Sequence, residues 1–381
     1  MKKALLSLFL IAAVFSCKED DLEPTQVSKT DVLTTYAEIV YANYEDAVST
    51  AKVLQTAIND FLAAPSEEGL IKARQAWIDS RNPYGQTEAF RFYGGPIDAE
   101  DGPEGLINGW PLDESYIDYV EGNANSGIIN NAGSYPVIDA QTLIDANENG
   151  GETNLSTGYH AIEFLLWGQD LYEDSPGKRA YTDYTTAPNA ARRAEYLKVV
   201  TDLLIENLTE VMDAWAPSAA YRASFIAGGD ESIAKMFRGI GALSKGELAG
   251  ERMTVALANK DQEDEHSCFS DNTKADIEMN FRGIRNVYVG AYERVDGSQV
   301  SGASLADLVN EKDLVKNETI LNLLSATFGS IIGIPQPFDS ALRAGDPGKK
   351  IENTIINLRN LSDAIVDGAL QLGIQVNAEL D

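Results

Sequence analysis

Leu33, Tyr36, Val40, Tyr44, Ala47, Ala51, Leu54, Ile58 and Phe61 recur at alternating steps of three and four residues. That spacing lays one apolar stripe along an α-helix. A stripe of this length has to be covered by other helices or by a sheet, so everything after it is read for what could cover it. Ala64-Pro65-Ser66 ends the first helix, and Ser66 is placed to cap a second. The second carries Leu70, Ala73, Trp77 and Ile78 before it meets Asn82-Pro83. The helical period returns from Ala191 to Trp215, through Tyr196, Val199, Leu203, Leu208 and Met212, and further helices are predicted over roughly 231–258, 272–292, 312–332 and 348–373. No segment carries a convincing strand pattern, so the predicted fold class is all-α. Between Phe92 and Ser156 the chain is rich in Gly, Pro and Asn. This is too long and irregular for an ordinary connection, and insertions of that kind tend to carry function. A short helix is expected within it at Glu114–Val120.

The surface charge narrows the partners. Asp plus Glu number 59 against 30 Lys plus Arg, a formal charge of −29 over 381 residues. Such a surface repels phosphate backbones and argues against nucleic-acid binding. The charges are interspersed with apolar residues, which points to a folded chain. At the N-terminus, Lys2 and Lys3 precede an apolar run from Ala4 to Val14 that is too short to span a bilayer. Val14-Phe15-Ser16-Cys17 resembles a lipobox, which would make Cys17 the lipidated residue and the membrane a partner through the lipid anchor. The acidic stretch Lys18-Glu19-Asp20-Asp21 resembles signals that send lipoproteins to the outer membrane surface. Cys268 is the only other cysteine, so the mature chain has no intramolecular disulfide, and a buried thiol is expected there.

The chemistry centres on Gly158-Tyr159-His160-Ala161-Ile162-Glu163-Phe164-Leu165-Leu166-Trp167-Gly168. Positions i and i+3 share a helix face, so His160 and Glu163 can point at one centre, and an imidazole beside a carboxylate reads as half of a metal site. The competing reading is a hydrogen-bonded pair at a helix start. The apolar Phe164–Trp167 run reads as core. Only His160 and His266 are histidines. His266 lies in Glu263-Asp264-Glu265-His266-Ser267-Cys268-Phe269-Ser270-Asp271, so Glu265, His266 and Asp271 are candidates for an additional site, although Asp271 would serve equally as a helix N-cap. Neither H-E-x-x-H nor H-x-x-E-H occurs, nor a G-x-S-x-G elbow, and the residues make a poor case for catalysis.

G-x-H-x-x-E followed by F-L-L-W-G resembles the signature of the imelysin family. Gly102-Pro103-Glu104-Gly105, Asn108-Gly109-Trp110-Pro111-Leu112-Asp113-Glu114 and Cys268-Phe269-Ser270-Asp271-Asn272-Thr273 agree with it, as do Trp77, Arg81, Pro83 and Glu88. The resemblance implies two helical bundles related by duplication. The expected organisation is therefore a signal peptide and lipobox at 1–17, a polar tether at 18–28, a first bundle at 29–190 containing the irregular insertion, and a second at 191–381. Aligning Gly168 with Gly290 places Arg282 and Arg285 opposite His160 and Glu163, so the site is expected to be single. Glu88 matches a family position and is the preferred third metal ligand. Arg81 would hold a carboxylate or bind an anionic ligand. Family members are classed as metallopeptidases, and relatives include iron-regulated envelope proteins and parts of iron-uptake systems. The resemblance thus implies iron, or a metal-bearing ligand such as a chelate, with other envelope iron-uptake proteins as partners. The alternatives are a zinc-dependent peptidase using the same dyad and a surface interaction protein whose dyad is structural.

Overall fold

The computed structural model describes residues 27–380. The signal peptide, Cys17 and the tether up to residue 26 lie outside the described residues. Seven long helices and one short one carry the fold. In the first half, α1 (Lys29–Ala63) packs on α2 (Glu67–Thr87) and on α4 (Ala190–Ala214), while the short α3 (Gly158–Trp167) packs on α2 and α4. In the second half, α8 (Lys350–Gln371) packs on α7 (Leu314–Ile332) and on α5 (Asp230–Ala242), and α6 (Thr273–Val289) packs on α7. The bundles meet where α2 lies along α6. The division expected at 190/191 assigns α4 to the second half, but its packing partners are in the first bundle.

Local chemistry explains the boundaries. Ser28 caps α1 by accepting from Asp31 N at 3.1 Å, and Ser66 caps α2 by accepting from Gly69 N at 3.1 Å. All nine residues of the predicted α1 stripe are buried, each stabilising the fold by roughly 1.5–3 kcal/mol where a large aliphatic or aromatic side chain is enclosed. The α2 helix runs through Pro83 to Thr87, which puts Glu88 at its end as expected, and Asn43 Nδ2 on α1 donates to the Pro83 carbonyl at 2.8 Å. One feature departs from expectation. A two-stranded antiparallel hairpin, β1 (Ala291–Glu293) with β2 (Gln299–Ser301), follows α6. Three residues are too few to show an alternating pattern. Tyr292 of β1 donates to Asp46 on α1 at 2.8 Å. Among the described residues no helix is long and apolar enough to cross a membrane.

Candidate functional site at the bundle junction

The dyad is set in place by a glycine. Gly158 has φ +84°, and a Cβ there would stand 2.6 Å from the Ile107 carbonyl oxygen, so only glycine lets α3 start against the short helix Glu104–Ile107. Trp77 Nε1 donates to the Tyr159 carbonyl at 2.9 Å. At the other end Tyr184 Oη donates to Leu165 O at 2.6 Å, and Arg74 donates to Leu166 O at 2.9 and 3.0 Å. Every residue of α3 is buried, and Phe164–Trp167 are core as expected. Cys268 is buried too.

Within α3, His160 Nδ1 lies 2.9 Å from Glu163 Oε2. The other carboxylate oxygen accepts from Ser270 N at 2.9 Å and Ser270 Oγ at 2.6 Å. Both oxygens of Glu163 are therefore engaged, one inside the dyad and one with the loop before α6. His160 Nε2 is buried and has no partner. A carboxylate on Nδ1 with Nε2 left open is the arrangement that orients a metal-binding imidazole. The two histidines of the chain meet edge to face, ring centroids 4.7 Å apart, and Trp110 lies against both at 4.8 and 6.3 Å.

From His266 the network continues to the other predicted residues. His266 Nε2 stands 3.5 Å from Asn108 Nδ2, which donates to Glu88 Oε1 at 2.7 Å. Glu88 Oε2 accepts from Arg252 at 2.6 Å and from Arg91 at 3.3 Å. Arg81 donates to Asn108 Oδ1 at 2.5 Å and pairs with Asp276 at 3.0 Å, its guanidinium 5.0–5.6 Å from the ring centres of Trp77, Tyr84 and Tyr159. The structure thus brings His160, Glu163, Glu88, Arg81 and His266 into one buried cluster built from both bundles. Glu88 sits in it with both oxygens taken, and Arg81 holds Asp276. Glu265 and Asp271 belong to a different group, whose charged neighbours are Asp170 and Asp339. Asp271 adopts φ +58°, and the N-cap of α6 is Asn272 without a side-chain bond.

Burial and charge set the protonation. Burial, then Arg81 and Arg252, drive the His160 pKa well below its usual value; burial, Arg252 and His160 do the same to His266. Both rings are neutral at physiological pH. Burial pushes Glu163 up to about 8 against the lowering effect of its Ser270 bonds. Burial also acts to raise Glu88, but Arg252, Arg91 and Arg81 outweigh it and hold that carboxyl below its usual value.

Sequence reasoning missed Arg252, Asp276 and the role of Ser270. Arg252 lies on a π-helical continuation of α5, Leu243–Thr254, where it bonds Glu247 five residues back at 3.0 Å. An α-period reading separates those two positions, and wide turns of this kind often mark functional sites. Above the cluster opens a cleft of about 490 Å³, lined from the first bundle by Arg91, Asn108 and Trp110 and from the second by Glu247, Arg252 and His266. Among the described residues no three His, Cys, Asp or Glu side chains stand at metal-binding spacing; the buried nitrogen left without a partner is His160 Nε2.

Comparison with known proteins agrees with this architecture. The model of the peptidase M75 family, imelysin, matches residues 40–365. Iron-regulated protein A of Synechococcus elongatus is 25% identical over 317 residues, covering 80% of this chain and 75% of the relative. A crystal structure described as an iron-regulated protein A precursor from Parabacteroides distasonis superposes with a TM-score of 0.72 at 21% identity, over 92% of this chain and 97% of that one. An imelysin-like protein from Psychrobacter arcticum gives 0.65 at 15% identity, over 92% and 96%. At those identities the two structures speak for the fold.

Proposed function

Because the chain belongs to the imelysin family, we propose that it handles iron, taking up a metal cation at the bundle junction with His160 Nε2 as donor and Glu163 as the carboxylate that orients the ring. The observation that carries this reading is the buried, unpartnered Nε2 beside a carboxylate-held Nδ1. An open buried nitrogen costs about 1–3 kcal/mol, and a cation on Nε2 relieves that cost. Iron is preferred over zinc because a relative is named for iron regulation and because imidazole with oxygen donors suits harder ions. With no preformed set of three ligands, the cargo keeps part of its shell from water or a small chelator. Glu163 in this reading does not ligate: binding a cation on Nε2 releases the proton that burial keeps on Glu163, and the resulting carboxylate accepts from Nδ1–H and orients the ring. A zinc-peptidase reading would use both histidines and Glu163 as ligands with another carboxylate as base, and both Glu163 oxygens are already engaged.

Calorimetric titration of the purified protein with anaerobic Fe²⁺, with Zn²⁺ as comparator, tests the proposal. Binding of one ion per chain, lost in His160→Ala, supports it. Equal binding by wild type and His160→Ala overturns it. Peptide turnover that vanishes on chelation would favour the peptidase. Anchorage through Cys17 is part of the same proposal, and Cys17→Ser is expected to release the protein from the membrane fraction.

A further inference from the structure

The unpartnered nitrogen of His160 is shut off from the surface. His160 is 1% exposed and does not line the cleft that opens above the cluster. Trp110 does line it, and its ring centre stands 4.8 Å from that of His160 and 6.3 Å from that of His266. Phe269 meets the same indole edge to face at 5.9 Å. The indole therefore touches both the cleft and the histidine that the cleft does not reach. It is also held differently from the other tryptophans. Of the four in the chain, Trp77, Trp167 and Trp215 are at most 3% exposed, and Trp77 is tied through Nε1 to the Tyr159 carbonyl at 2.9 Å. Trp110 is half-buried, and neither its indole N–H nor its backbone hydrogen-bonds to a described residue. It sits in the irregular stretch between the short helices Glu104–Ile107 and Glu114–Ile117. Gly109 before it is packed too closely for a side chain, since a Cβ there would meet Leu155 Cδ2 at 2.8 Å, and Leu112 beyond Pro111 is buried. The backbone is thus anchored on both sides, while packing alone holds the ring. Such a ring changes rotamer without breaking a hydrogen bond, and the cleft of about 490 Å³ gives it room to move into.

We propose that Trp110 is the gate of the His160 site: the indole in place closes the donor off from the cleft, and cargo reaches His160 when the ring swings aside. As a route for cargo the gate rests on reading His160 as the donor, and it adds how that donor is reached. The cover itself is open to test without any metal.

Diethyl pyrocarbonate acylates neutral imidazoles that solvent reaches, so the experiment follows acylation of His160 by peptide mass spectrometry in wild type, Trp110→Ala and Trp110→Phe. Alkylation of the buried Cys268 is followed beside it as a measure of general loosening. A minor open form commonly makes up about 0.1–10% of such an equilibrium, so removing the indole is expected to speed His160 acylation by at least about tenfold, with Cys268 unchanged. Trp110→Phe keeps a flat ring and is expected to react more like wild type than like Trp110→Ala. Anaerobic Fe²⁺ is expected to protect His160 in Trp110→Ala. An unchanged His160 rate in Trp110→Ala, a Trp110→Phe rate equal to that of Trp110→Ala, or a parallel rise at Cys268 overturns the gate. Faster acylation that Fe²⁺ does not slow overturns the donor reading instead and leaves the cover standing.

Discussion

Two buried polar networks in this chain use similar residue types to different ends. In the first, Asp118 accepts from Arg179 at 2.8 Å, from Arg193 at 2.7 and 2.9 Å and from Asn130 at 3.1 Å. Both of its oxygens are saturated. Burial acts against the charge, but Arg193 and Arg179 hold the carboxyl below its usual value. This knot ties the irregular insertion to α4 and to the segment after α3, all within the first bundle. The second network runs from Glu163 through His160 and His266 to Glu88 and crosses between bundles. It leaves His160 Nε2 without a partner. The comparison separates a network that is finished by the fold from one that the fold leaves open beside a cleft of about 490 Å³.

The largest test of that contrast is Asp118→Ala, which strands two buried guanidiniums. A loss of about 3–5 kcal/mol is expected, read as a lower urea midpoint, and a loss below 1 kcal/mol would mean the knot is not structural. The next is a pH effect. The pKa of Glu163 is raised by folding to about 8, so the folded state holds a proton that the unfolded state releases, and the associated stability is lost as pH rises toward 8. Near pH 6.5 the histidines, whose pKa values folding lowers, are still about half protonated in the unfolded state and add a slope of opposite sign, which fades by about pH 7.5. Stability is therefore expected to fall by up to about 1.4 kcal/mol per pH unit from Glu163, and Glu163→Gln should remove that part of the slope. Glu263 and Asp271, each pushed up to about 7 mainly by burial, add to the wild-type slope, so the difference between the two proteins is the quantity to measure. Identical slopes would contradict the assignment. The smallest effect belongs to Arg282, aligned with His160 in the sequence echo between the halves. It is exposed and pairs with Glu278 at 2.7 Å. Arg282→Ala is expected to change stability by at most about 0.5 kcal/mol and leave Fe²⁺ affinity unaltered; a loss of affinity would place a second site in the other bundle.

Much of the fold could be read in advance, because long stripes report directly on helices. The residues from Leu33 to Phe61 predicted α1, and each of the four later segments contains a long helix. The hairpin could not be read, since three-residue strands leave no period. At the site, the spacing of His160 and Glu163 placed them together. It could not show that they bond to each other, because an i, i+3 pair close enough to share a metal is also close enough to share a proton. Glu88 and Arg81 entered through the family resemblance, which located them without giving their partners. Arg252 depends on a π-helical register that an α-period reading misplaces, and Asp276, in the first turn of α6, looks like any acidic residue favoured near a helix start.

The most direct measurement is an anomalous difference map at the iron edge, from crystals of the protein soaked anaerobically in Fe²⁺. A single strong peak within about 2.0–2.3 Å of His160 Nε2, with Glu163 still on Nδ1, is the predicted result. A peak on the Glu163 oxygens, one away from both histidines, or none at full soaking would contradict the claim that His160 is the open donor of an unfinished network.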